Sequence, residues 1–275
     1  MTEPRSWLFV PADSERKIAR ALASDADAVI FDLEDSVAPA GKPQARALLR
    51  ELGGGDGPQR WVRINPLGND RFREEIELVL HGRFDGIVLP KAEKGKDVED
   101  LSERTGNVPI HAIVTETPAS LFGLLSYRNA SPALAAMSWG AEDLSAAIGA
   151  SSKYDDDGQL SFTYRMARSL CLAGAVAAAV QPVDGVFADF RDEAGLIAEA
   201  RAAAREGFTG KLAIHPDQVA PINAAFTPSA DEMAHAQAVV AAFEAQPDAG
   251  VLSIGGRMVD RPHLIQARRI ISRAT

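Results

Sequence analysis

A closed (β/α)8 barrel is the fold class that the sequence predicts, on three observations. Eight short apolar or β-branched runs recur along the 275 residues, each closing on a polar or Pro-containing turn. Stretches with helical periodicity or composition separate them. Neither tandem strands nor a break in composition interrupts the alternation, which favours a closed parallel barrel over an open doubly wound sheet.

The elements follow in order. The first strand, 7–10, closes on Pro11-Ala12-Asp13 and leads into a helix over 14–23. The second, 28–33, ends at Glu34-Asp35 before a helix over 42–52. The third, 61–64, carries Arg63 with Asn65 at its end and precedes a helix over 71–80; the fourth, 86–89, closes on Pro90-Lys91 before 97–104. The fifth, 110–115, ends at Glu116 and is followed by a helix over 118–128. The sixth, 136–139, precedes Glu142-Asp143, then an acidic, Gly-containing segment over 149–160, then a helix over 162–179. That segment is the longest irregular connection and serves either as a lid or as a plain solvated loop. The seventh strand, 185–187, leads to Asp189 and a helix over 192–205, and the eighth, 211–214, ends at His215-Pro216-Asp217. Residues 1–225 thus make the barrel. Residues 226–275 form an extension with an Ala-rich helix, the turn Gly255-Gly256 and a last basic helix, free to lie over the barrel mouth or on a neighbouring subunit.

Composition sets limits on function. At 46% hydrophobic and 24% charged residues, the chain is that of an ordinary globular protein with ample core. A net charge of -9 argues against general affinity for nucleic acid or anionic membrane, so an anionic ligand needs a local basic pocket. Cys171 is the single cysteine, which leaves no internal disulfide or cysteine metal cluster; its setting predicts a small buried residue. No apolar run approaches the roughly 18 residues that span a bilayer, and Met1-Thr2-Glu3-Pro4-Arg5 lacks a signal-peptide core, so a cytoplasmic protein is expected.

In a parallel barrel the working groups stand at the C-terminal strand ends, which share one mouth. Ionisable groups collect there in this sequence, although capping of the following helix accounts for Asp13, Asp189 and Asp217 individually. Glu116 and Asp143 fall on neighbouring strand ends, where two carboxylates repel unless a cation or proton lies between them. Magnesium suits such a pair, because it takes one or two protein carboxylates and keeps positions for water and substrate oxygens. With no cysteine set, and no histidine three or four residues from another, zinc is disfavoured. Arg63 either grips a carboxylate or enolate oxygen, or forms an internal ion pair with Glu34 or Asp35. His215 either touches substrate or fixes the barrel.

The stretches Leu8-Phe9-Val10-Pro11, Ala26-Asp27-Ala28-Val29-Ile30-Phe31-Asp32-Leu33-Glu34-Asp35, Val62-Arg63-Ile64-Asn65 and Val88-Leu89-Pro90-Lys91 are family-like, as are Thr115-Glu116-Thr117, Gly140-Ala141-Glu142-Asp143-Leu144, Ile214-His215-Pro216 and Met258-Val259-Asp260. Together they resemble the citrate lyase beta subunit-like group of the HpcH/HpaI aldolase family, over nearly the whole chain. The resemblance implies a TIM barrel of the phosphoenolpyruvate/pyruvate superfamily that assembles as a homo-oligomer, a trimer or hexamer. It implies Mg2+ on Glu116 and Asp143, substrate binding and charge stabilisation by Arg63, and Asp35 as an acid near the metal waters. Asp260 is implied as the acid that reaches the mouth of an adjacent subunit. Two segments depart from the pattern: Pro11-Ala12-Asp13-Ser14-Glu15-Arg16 lacks the usual Gly and second Pro, and Thr117-Pro118-Ala119-Ser120 replaces the usual Thr-Ala-x-Gly.

The activity that follows is retro-Claisen or aldol cleavage, or its reversal, of a small 3-hydroxyacyl-CoA thioester such as malyl-CoA or citramalyl-CoA, with an acyl-CoA and a 2-oxo acid as the small-molecule partners. Coenzyme A phosphates would need a basic edge, for which Arg16, Lys17, Lys42 and Arg46 are the candidates; a solvated, ion-paired face is the other reading of the same residues. The alternatives are a citrate lyase beta subunit acting on an acyl carrier protein, a free 2-oxo acid aldolase, and a non-catalytic barrel that binds a small acid.

Overall fold

The computed structural model describes residues 3–273. Eight parallel strands close on themselves in sequence order: β1 (Ser6–Pro11), β2 (Ala28–Asp32), β3 (Gln59–Arg63), β4 (Gly86–Leu89), β5 (Ile110–Ile113), β6 (Leu134–Ser138), β7 (Gln181–Asp184) and β8 (Gly210–Ala213). Hydrogen bonding of β8 back to β1, with Trp7 beside Leu212, completes the wall. Around it run α1 (Glu15–Leu22), α2 (Lys42–Glu51), α3 (Phe72–His81), α4 (Gly95–Thr105), the short α5 (Ser120–Gly123), α6 (Ala141–Ile148), α7 (Phe162–Ala177), α8 (Glu193–Glu206) and α9 (Val219–Phe226). The expected (β/α)8 order is therefore present, with two corrections.

The seventh strand lies at 181–184, not 185–187. Gln181, Pro182 and Asp184 disguise it as a turn, yet each polar group finds a partner: Gln181 Nε2 donates to the Pro4 carbonyl, and Asp184 sits among buried cations. Asp189 is consequently not a strand end; it accepts from the Arg191 N–H within a loop, while Asp192 caps α8. The second correction is α6, which sequence periodicity did not predict. Eight residues closing on the left-handed Gly149 are too few to show a helical period. Caps elsewhere also differ, since Ser14 rather than Asp13 caps α1, and His215 rather than Asp217 caps the 3-10 turn Pro216–Gln218.

Strand period two divides the side chains between two cores. Val29 and Phe31 face the helices, whereas Trp7, Ala28, Ile30, Trp61, Val88, Ile113, Ala136, Val183 and Leu212 fill the barrel interior. The Trp61 ring lies so close to β4 that a Cβ on Gly86 would stand 2.2 Å from it, which is why β4 begins with glycine. His111 packs edge-on against Trp7, with ring centroids 4.6 Å apart, and neither of its nitrogens has a hydrogen-bond partner. Burial alone pushes its pKa down to about 3.

A depressed histidine stabilises the fold above its unfolded pKa of about 6.5, and that contribution is lost as pH falls towards 3. Replacing His111 by Leu is expected to recover part of the acid-induced loss, up to about 4 kcal/mol. Urea unfolding of both proteins at pH 4 and pH 7 measures this; equal pH dependence would exclude His111 as the acid-sensitive group.

Beyond α9 the chain forms α10 (Ala230–Ala245), the hairpin β9 (Val251–Ile254) and β10 (Arg257–Asp260), and α11 (Arg261–Ser272). This extension has a small core of its own, made by Ala236, Val239, Phe243, Val259, Leu264 and Ala267. After α11, Arg273 joins Pro4, Arg5, Asp27 and Gln59 in lining a cavity of about 1000 Å³. Those partners mark the N-terminal ends of the strands, so Arg273 sits at the face opposite the mouth. Among the described residues no helix is long and apolar enough to cross a membrane.

Candidate active site

Register assembles the mouth. Asp32, last in β2, has the parity of Ala28 and Ile30 and so points into the barrel; Arg63, last in β3, is its direct neighbour across the ladder. Arg63 donates from Nε to Asp32 Oδ1 at 2.7 Å and from Nη2 to Oδ2 at 2.6 Å, a bidentate pair. Its Nη1 lies 3.0 Å from Glu34 Oε2, and its guanidinium covers the Phe9 ring at 4.7 Å. Burial opposes both charges of the Arg63–Asp32 pair, but mutual hydrogen bonding and charge attraction together outweigh it, raising the Arg63 pKa and lowering that of Asp32. The internal ion pair considered from sequence therefore exists with Glu34. Asp32, its stronger partner, was not singled out.

Lys91 bridges the far side. It follows Pro90 at the tip of β4 with φ +53°, a left-handed conformation that L-residues seldom adopt. Its backbone N–H donates to Glu116 Oε2 at 2.5 Å, while its Nζ lies 2.7 Å from Glu34, 3.2 Å from Asp35 and 3.1 Å from Asp143. Asp143 stands in the first turn of α6, where the helix dipole favours an anion. Gly140 precedes that helix, and a Cβ there would come within 2.7 Å of the Glu116 side chain. Glycine thus lets the β6 tip close over Glu116 and brings the two carboxylates to one locality.

Burial, joined by the nearby charges of Asp143 and Glu34, pushes the Glu116 carboxyl up to about 8, against the Lys91 amide and Arg63. Burial likewise raises Glu34 against Arg63 and Lys91. Even with two cations present, the mouth is short of positive charge. Among the described residues no three of His, Cys, Asp and Glu gather as a metal set. A cation here would therefore rest on the two carboxylates Glu116 and Asp143, a donor set that fits magnesium.

Other expected residues are distributed unevenly. Arg16 and Lys17 are exposed on α1. Lys42 and Arg46 are not available as a basic edge: the Lys42 ammonium is buried and donates to Asn65 Oδ1 at 2.6 Å, and Arg46 pairs with Glu74 at 2.6 Å. Asn65 in turn donates to Glu75, so these charges tie α2 and α3 to the β3 tip. The 149–160 segment is fastened to the mouth by the Lys153–Glu142 ion pair and folded on itself by a Tyr154–Leu160 bridge. His215 stacks on Phe190 at 4.7 Å and caps the following turn, a positional role. Asp260 caps α11 and meets His263 Nδ1 at 2.5 Å; it joins none of the mouth ion pairs described here.

The model of the HpcH/HpaI aldolase/citrate lyase family matches residues 5–216, and that of the TIM-barrel C–C bond lyases matches residues 161–275. The chain belongs to the HpcH/HpaI aldolase/citrate lyase family. It is 35% identical to a (3S)-malyl-CoA thioesterase of Cereibacter sphaeroides, over 98% of this chain and 94% of the relative. Citramalyl-CoA lyase of Rattus norvegicus mitochondria is 32% identical, with 98% and 86% covered. Among solved structures, the CitE protein of Mycobacterium tuberculosis in complex with magnesium, acetoacetate and coenzyme A superposes with a TM-score of 0.83 at 36% identity, covering 98% of this chain and 97% of that one. In this family member, then, the barrel mouth built by Asp32, Arg63, Lys91, Glu116 and Asp143 is the candidate active site.

Proposed function

We propose that the protein is a magnesium-dependent carbon–carbon lyase that cleaves, or in reverse forms, a small 3-hydroxyacyl-CoA thioester. The observation that carries this reading is the buried Glu116 beside Asp143, facing the Arg63 guanidinium at the barrel mouth. Relatives named for malyl-CoA and citramalyl-CoA, and one structure holding magnesium with coenzyme A, support the substrate class.

Glu116 and Asp143 would hold the cation, which when bound supplies Lewis-acid polarisation of the substrate hydroxyl or carbonyl oxygen. Arg63 does the rest of the charge management. A guanidinium has five N–H donors; Asp32 accepts from two of them and Glu34 faces Nη1 as an ion pair, which leaves donors for a substrate oxygen gaining negative charge. Asp32 and Glu34 keep the guanidinium plane fixed while it does so. Asp35, exposed beside Lys91, would orient water near the carboxylates. Arg16 and Lys17 remain as contacts for coenzyme A phosphates.

Asp260 would exchange the proton with the enolate carbon from a neighbouring subunit of a homo-oligomer, which we take to be a trimer or hexamer. The open side chains of Phe122, Leu125 and Phe162, each 71% or more exposed, support burial against another copy. The lone buried thiol of Cys171 suits a reducing compartment, and we place the protein in the cytoplasm.

The deciding experiment is a panel of 3-hydroxyacyl-CoA thioesters and free 2-oxo acids assayed with and without Mg2+. Magnesium-dependent conversion of malyl-CoA or citramalyl-CoA to an acyl-CoA and a 2-oxo acid supports a lyase; release of free coenzyme A alone would make it a thioesterase. Turnover of free 2-oxo acids only would rule out the thioester. For Asp260→Asn we expect kcat to fall about 10² to 10⁴-fold with metal affinity unchanged. Mixed oligomers of that variant with Glu116→Gln should regain partial activity, since some mouths then pair an intact Glu116 with an intact Asp260; no recovery would place Asp260 outside the neighbour's mouth.

A further inference from the structure

The magnesium reading leaves one mouth residue without a task. Lys91 is tied in from both ends: its backbone N–H holds Glu116, and its side chain returns across the mouth to Glu34, Asp35 and Asp143. An ammonium has three donors, and three carboxylates surround this one. The left-handed turn at Lys91 makes this double engagement possible, because it aims amide and side chain at different neighbours. Glu34, almost wholly buried and 2.7 Å away, anchors the ammonium, whereas Asp143 is a third exposed and holds it at 3.1 Å.

Resting on the assignment of the cation to Glu116 and Asp143, we infer that Lys91 is a positioning residue that competes with the divalent cation for Asp143. Its ammonium neutralises Asp143 while the cation is away and yields it when the cation arrives, remaining on Glu34 and Asp35. The backbone N–H steadies Glu116 in both states. Competition of this kind sets affinity: a mouth with five acids and a free choice of cation would hold a divalent ion too tightly for exchange, and a resident ammonium moderates it. It also leaves the loaded mouth with one unspent N–H donor for an anionic substrate group.

Mn2+ binding, read from the loss of the free-ion electron paramagnetic resonance signal at pH 8 without substrate, tests this. Lys91→Met removes the competitor and is expected to bind Mn2+ about tenfold more tightly than the unaltered protein. Lys91→Arg keeps the charge and should stay within about threefold of it. A Lys91→Met protein that binds no tighter, or a Lys91→Arg protein that binds as tightly as Lys91→Met, overturns the inference. Should Lys91→Met fail to fold, the unaltered protein still decides. Reductive methylation of Lys91, followed by peptide mass mapping, should proceed several-fold faster with saturating Mg2+ than without, and an unchanged rate rejects the displacement. Unaltered protein that binds no Mn2+ at all would overturn the magnesium reading together with this one, whereas normal binding unmoved by Lys91→Met refutes only the role of Lys91.

Discussion

Glu116→Gln should abolish the magnesium-dependent reaction, lowering kcat by about 10³-fold or more, and at the same time make the metal-free protein more stable at pH 8. The two effects have one cause. Glu116 is 4% exposed, and burial with nearby Asp143 and Glu34 pushes its pKa up from an ordinary 4.5 to about 8. A group whose folded pKa is raised gives its full contribution below the unfolded value and loses it as pH rises through the folded one. The metal-free protein should therefore lose thermal stability between about pH 4.5 and pH 8. Mg2+ should restore that loss, because it replaces the proton as the counter-charge. An uncharged amide of the same shape escapes the penalty but offers a much poorer ligand. Melting curves across that range, with and without Mg2+, check the first half, and steady-state kinetics the second. Turnover that survives Glu116→Gln would remove the cation from the chemistry; a variant no more stable than the parent at pH 8 would show that Glu116 is ionised at little cost.

Strands β1, β2, β4 and β6 were legible in the sequence because apolar interior and apolar helix-facing residues alternate within them, leaving near-continuous apolar runs, and β3, β5 and β8 kept enough of that pattern around Arg60, His111 and Lys211. Strand β7 was not, because its helix-facing position is Asp184, a charge that only makes sense once Lys211 and Arg168 are seen around it. The acids Glu116 and Asp143 could be proposed from their places at adjacent strand ends. Their true neighbours could not: Asp32 reads as one more strand residue until register sets it beside Arg63, and Lys91 reads as a turn residue until its left-handed backbone is known. Lys42 and Arg46 failed as a phosphate-binding edge for the opposite reason, since sequence marks a cation but not whether Asn65 or Glu74 already occupies it. Parity along β2 was a usable signal for Asp32, as 28, 30 and 32 share one face. For Lys91 the signal was its place at the β4 tip, which marks a mouth residue but not the three carboxylates around it.

Lys211→Met should be the most destabilising single change outside the mouth. Lys211 is fully buried between the barrel wall and the helices, with Nζ 2.9 Å from Asp184, 2.7 Å from Glu199 and 2.8 Å from the Gly185 carbonyl. Burial opposes its charge, but Asp184 and Glu199 outweigh it and raise its pKa. Asp184, also fully buried, is held down to about 2: burial opposes its charge, and Lys211 and Arg168 overcome that. Removing the ammonium strands part of that negative charge, leaving Arg168 Nε at 2.8 Å and Trp139 Nε1 at 2.7 Å as its donors. Breaking one side of such a buried pair costs about 3 to 5 kcal/mol, which lowers the melting temperature on the order of 10 °C. The pair is not therefore a net source of stability, since desolvation of both charges cancels much of their attraction. Combining Lys211→Met with Asp184→Leu should accordingly be less harmful than the sum of the single changes, with a coupling of about 1 to 3 kcal/mol. Urea unfolding of the two single variants and the double variant measures it. Strict additivity would mean that Arg168 alone satisfies Asp184, and that Lys211 holds α8 to the wall through Glu199 instead.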